Sequence, residues 1–141
     1  MNSRRIYTLE ILHDAPVVIV HPEPGRSVGD GIRTGMGDLV RLLDEARQPL
    51  FVVLDLRQVA VEPDSLVEAA NRSASGRSPI MHHPAMRETI FVSTHILVKM
   101  AVRGMASEAF GCARARHFDS LDQALGYCRE QMGLVRLGEE G

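Results

Sequence analysis

The sequence predicts an α/β domain: a single mixed five-stranded sheet in which an N-terminal β-hairpin precedes alternating helix and strand, in the order β-β-α-β-α-β-α-β-α. Three observations carry this. Short apolar runs rich in β-branched residues alternate with stretches whose apolar residues recur every three or four positions. Each strand after the hairpin is separated from the next by enough chain for a covering helix, as a right-handed crossover between parallel strands requires. The chain has 141 residues, 45% of them hydrophobic, which is the size of one globular core.

Residues 6–12 (IYTLEIL) mix β-branched, apolar and polar residues, as a strand near an edge or with one wet face does. His13, Asp14, Ala15 and Pro16 supply turn chemistry, and residues 17–20 (VVIV) are continuously apolar, as in a buried central strand. Residues 21–37 then hold two prolines and five glycines, a connecting loop. Met36, Leu39, Val40, Leu43 and Ala46 follow helical spacing with charged residues between them, and Pro49 enforces the helix end.

Residues 50–56 (LFVVLDL) are too short for an independent helix and form the central parallel strand. Residues 64–70 (DSLVEAA) start a short helix, with Ser65 and Glu68 at capping-box spacing. A loop containing Pro79 and Pro84 leads to a fourth strand at residues 88–93 (ETIFVS). Ile96, Leu97, Met100, Ala101 and Gly104 mark the next helix, whose apolar content predicts that it is well covered. Residues 112–118 (CARARHF) alternate small, basic and apolar side chains, as a strand near the sheet edge does. Ser120 and Gln123 form a second capping pair, and Leu121, Ala124, Leu125, Cys128 and Met132 form the apolar stripe of the last helix. The domain spans residues 1–133, and residues 134–141 are a flexible C-terminal tail.

Charge and composition exclude several classes of function. Sixteen Lys+Arg against 18 Asp+Glu give a formal charge of −2, without the basic field that nucleic acid or an anionic membrane demands. No window approaches the roughly 18 consecutive apolar residues of a membrane span, and residues 1–10 lack a signal-peptide core. A cytoplasmic location is expected. Cys112 and Cys128 fit no zinc spacing and are too few for a disulfide framework.

The element order, together with two local stretches, resembles the STAS superfamily, and specifically its stand-alone bacterial members of the anti-sigma-factor-antagonist (SpoIIAA-like) kind. The stretches are Val53-Leu54-Asp55-Leu56, followed after a turn by Asp64-Ser65 at a helix start, and residues 118–125 (FDSLDQAL), a terminal strand-to-helix junction. The resemblance implies a binding domain of this fold. It also implies that Ser65, after Asp64, is the phosphorylation position, where a phosphate adds about −1.5 to −2 charges at pH 7. The family pattern continues Ser-Gly-Leu, whereas this chain continues Leu66-Val67-Glu68. The alternative for Ser65 is a helix cap, worth about 0.5–2 kcal/mol against alanine.

Other chemistry was tested against spacing. Gly29, Gly31, Gly35 and Gly37 break G-x-G-x-x-G at Thr34, and no phosphate-binding G-x-x-x-x-G-K-[ST] occurs. The six histidines form no H-E-x-x-H, and His82-His83 belong to a solvated or interface loop. His95 directly follows a strand without an accompanying nucleophile motif and reads as a polar helix-start residue, with a general-base role beside Asp119 or Asp55 as the alternative. Asp55 lies within the central strand, where it either satisfies loop donors or meets a ligand.

Ligands of open parallel sheets sit outside the carboxyl ends of the strands, so the candidate ligand or partner rim is Asp55, Arg57, Ser93, Thr94, His95 and Asp119, with Ser65 nearby. No catalytic residue, metal or cofactor is assigned. The function expected is a non-catalytic regulatory or protein-interaction domain that forms a homodimer and binds neither nucleic acid nor membrane. A module for an anionic or lipid-like small molecule is the alternative.

Overall fold

The computed structural model describes residues 7–12, 15–22, 39–59, 64, 83–105 and 115–133. Five strands make one sheet in spatial order β1-β2-β3-β4-β5: β1 (Tyr7–Ile11), β2 (Val17–Pro22), β3 (Leu50–Asp55), β4 (Met86–Val92) and β5 (Ala115–Phe118). β1 pairs antiparallel with β2, with Leu9 opposite Val20, and every other pair is parallel. The mixed sheet expected from the hairpin and the alternating units is therefore present, with β3 at its centre.

The described helices are α1 (residues 39–45), α2 (Ile96–Met105) and α3 (Leu121–Gln131). Asp64, exposed and helical, is the one described residue of the helix expected at residues 64–70. Ser65 and the tail at residues 134–141 lie outside the described residues, as does the segment that contains Gly29, Gly31, Gly35 and Gly37.

Parallel strands added in one direction, from β2 through β5, require right-handed crossovers on one side of the sheet. α1 lies on that side, its Leu39 and Leu43 packing against Val18, Val20, Val52 and Met86. α3 follows the last strand and is released from that constraint. It packs on the opposite face, where Ala124 and Cys128 meet Val17, Ile19, Phe51, Val53, Ile90 and Val92. The alternation of β2 and β3 thus divides the core in two, odd-numbered residues toward α3 and even-numbered ones toward α1.

Local chemistry fixes the ends of α3. Ser120 Oγ accepts from the Gln123 N–H at 3.1 Å, the capping bond expected of the pair. At the other end Gly133 takes φ +72° and donates its N–H to the Glu130 carbonyl at 3.1 Å, a left-handed stop that a side chain would strain.

Several expectations are corrected. β4 begins at Met86, two residues earlier than expected, because the Leu50 N–H reaches the Ala85 carbonyl at 2.8 Å and draws the chain into the ladder. An irregularity in the register between Leu50 and Phe51 then accommodates Arg87, whose guanidinium lies 5.2 Å from the Phe51 ring centroid. α2 is not well covered. Val98 and Val102 are buried, but Ile96 is 60% and Met100 58% exposed, because the helix buries only the stripe that faces the sheet. His83 is not a solvated loop residue: its Nε2 donates to Asp44 at 2.7 Å, its Nδ1 accepts from the Ala85 N–H at 3.0 Å, and its side chain is 13% exposed.

Candidate functional site at the carboxyl ends of the strands

β2, β3, β4 and β5 run parallel, so their carboxyl ends share one rim. At β3, Asp55 continues the face of Phe51 and Val53, and His21 at the end of β2 continues the face of Val17 and Ile19. The two meet: His21 Nδ1 lies 3.1 Å from Asp55 Oδ2. His21 Nε2 lies 3.1 Å from Glu10 Oε1 on β1. Ionised carboxylates only accept, so both contacts are hydrogen bonds at once only when both ring nitrogens carry protons.

Asp55 is the node of this network. Its Oδ1 accepts from Arg57 Nε at 2.7 Å and from the Arg57 backbone N–H at 3.3 Å, and its Oδ2 accepts from Arg57 Nη2 at 2.8 Å. The side chain is 10% exposed. Burial works against its charge, but the hydrogen bonds and charge of Arg57, with His21, overcome it and hold the carboxyl below its ordinary value. Arg57 is held above its own ordinary value, first by the bond to Asp55 and then, against some burial, by the charges of Asp55 and Asp122. With four donors converging on two oxygens, Asp55 closes the turn after β3 and joins it to β2.

The β4 end is built differently. Ser93 is buried, and its Oγ accepts from the His95 N–H at 3.0 Å. His95 Nδ1 accepts from the Leu97 N–H at 3.1 Å, so the ring caps the start of α2. His117 Nε2 donates to the Ser93 carbonyl at 2.6 Å and lies 3.8 Å from Asp119 Oδ1. Thr94 and His95 are exposed, and the Asp119 side chain is 70% exposed.

Of the residues read from sequence as a rim, the structure joins Asp55 to Arg57 and Ser93 to His95. The bonds described for His95 run to Ser93 and Leu97, and the neighbour of Asp119 is His117. His21 and His117 are the rim residues missed in the sequence. The signal for His21 was its place: a polar ring directly after an apolar run, at the parity of Val17 and Ile19, faces the same side as Asp55.

A second network lies on the α3 face. Glu88 Oε1 accepts from the Tyr127 hydroxyl at 2.6 Å and from Arg116 Nε at 3.2 Å, and the Arg116 guanidinium lies 4.7 Å from the Tyr127 ring centroid. Burial, then Glu88, pushes the Tyr127 phenol up to about 12. Burial, then the Glu88 charge, pushes the Cys128 thiol up to about 12, the state of an inert core cysteine. Among the described residues no cluster of three or more His, Cys, Asp or Glu is arranged to hold a metal ion, and no helix is long and apolar enough to cross a membrane.

No family model matches the sequence, and no curated protein matches it. Among solved structures the chain is similar to an uncharacterized protein of the DUF3478 family with a SpoIIAA-like fold from Shewanella loihica PV-4. The TM-score is 0.57 at 12% identity, over 91% of this chain and 98% of the other. The correspondence runs the length of the domain, and with the strand order above it establishes that the chain has a SpoIIAA-like α/β fold.

Proposed function

We propose that this chain is a non-catalytic regulatory domain of the cytoplasm that works by binding another protein, and that its contact surface is the outer face of α2 beside the rim. The observation that supports this reading is a contrast. Most polar groups of the rim are engaged within the fold, Asp55 with Arg57 and His21, Ser93 and His95 at the start of α2, and His117 on a backbone carbonyl, while Thr94 and Asp119 stay exposed. The helix that leaves this rim exposes two large apolar side chains one turn apart, Ile96 and Met100. The expected homodimer would use a different surface, the outer edge of β1, where Ile11 is 55% exposed.

The test is capture from the host with three tagged chains: wild type, Ile96→Asp/Met100→Asp, and Glu130→Gln as an exposed control on α3. A protein retained by wild type and Glu130→Gln but lost from the α2 variant supports the reading. Identical retention by all three, or substrate turnover by the purified chain, contradicts it.

A further inference from the structure

The exposed side of α2 carries more than its apolar pair. Lys99 and Arg103 are exposed on the same helix, and neither has an ion pair among the described residues. Ile96, Met100 and Arg103 follow one another at four- and three-residue steps, with Lys99 beside Met100, so all four lie on the side opposite the buried Val98 and Val102. The sequence has no Asp or Glu between Glu88 and Glu108, so no carboxylate within the helix itself offsets its two cations. At 1.5 Å per residue, the apolar pair is separated by about 6 Å along the axis, as are Lys99 and Arg103.

We infer that the occupant of this face is an acidic amphipathic segment of another protein, presenting two apolar side chains one turn apart and carboxylates that meet Lys99 and Arg103. The inference rests on the interaction reading above and gives the partner its chemistry. Charge complementarity selects this occupant over a second copy. A two-fold contact of α2 against α2 sets Lys99 and Arg103 against their own counterparts, and like charges brought together weaken a contact. A lipid surface is disfavoured as well, because two cations give only weak attraction to an anionic membrane and two apolar side chains add little insertion. A helix in an apolar contact flanked by opposite charge is an established mode of peptide recognition.

Lys99 is the only lysine in the chain, which makes the test specific. The complex captured from the host is treated with a water-soluble carbodiimide, which joins amines directly to carboxylates. The expected result is a link from Lys99 to an Asp or Glu of the partner. Lys99→Arg keeps the charge and the capture but loses the link. Lys99→Glu/Arg103→Glu weakens binding about tenfold or more in low salt, and wild-type binding weakens as ionic strength rises.

If the apolar variant loses the partner while no link forms and the charge reversal has no effect, the acidic segment is refuted and the interaction reading stands. If capture is the same for every variant, both fail. Binding to phosphatidylserine vesicles that depends on Met100, or a dimer seen by light scattering and abolished by Ile96→Asp/Met100→Asp, assigns the face to a membrane or a second copy and overturns the inference.

Discussion

Asp55→Asn isolates the rim network from its function. The substitution keeps the shape of the side chain and one acceptor, which the Arg57 Nε and backbone N–H use, but replaces Oδ2 by an amide that donates. The bonds from His21 Nδ1 and Arg57 Nη2, at 3.1 and 2.8 Å, are therefore lost. Hydrogen bonds to a charged group are worth about 1.5–3 kcal/mol each. Here the donors retain access to water, the His21 side chain being 31% and the Arg57 side chain 47% exposed, which reduces the loss. The expected destabilisation is about 1–3 kcal/mol for the pair, or a fall in Tm of roughly 3–10 °C at this chain length.

The same carboxyl predicts the pH dependence. Folding lowers its pKa, so the folded state gives up the proton more readily than the unfolded chain. Its contribution is complete above the unfolded value near 3.8 and is lost as pH falls through the lower folded value. Thermal and urea denaturation of both proteins between pH 7 and pH 3 should show a gap that is constant at neutral pH and narrows below about pH 4. A variant melting within 1 °C of wild type at pH 7, or a gap that widens in acid, would refute the network as a stabilising node.

Phe51 is fully buried and meets Tyr127 edge-on at 6.1 Å between ring centroids, so Phe51→Ala should cost about 3–5 kcal/mol in urea denaturation. Ser120→Ala should lose about 0.5–2 kcal/mol, and Ser120→Asp should restore most of it in the same assay, because aspartate also accepts from the Gln123 N–H. Cys128 should resist a thiol reagent such as a maleimide in native buffer and react fully in denaturant, since its thiol is both buried and raised to about 12.

The strands were legible because three of them are short apolar runs that cannot form a free-standing helix, and β3 and β5 fell at the centre and edge their composition implied. Ser120 with Gln123 was legible for a local reason, since a cap needs only neighbouring residues. The opening of β4 was not, because its extra residues pair through a backbone contact between Leu50 and Ala85 that no local pattern encodes. The exposure of α2 was misread because Ile96 and Met100 count as apolar without revealing which stripe meets the sheet. Asp55 and Arg57, which the structure bonds to each other, were in the group read from sequence, but His21 was absent from it: its partners stand 11 residues before it and 34 after it, a distance only the assembled sheet closes.

The measurement that bears most directly on an interaction domain organised around α2 is amide hydrogen exchange of the chain alone and in the complex recovered from its host. Added protection concentrated at Ile96–Met105, with β1 and α3 unchanged, is the result expected. Unchanged exchange along α2, with protection confined to other elements, contradicts the account.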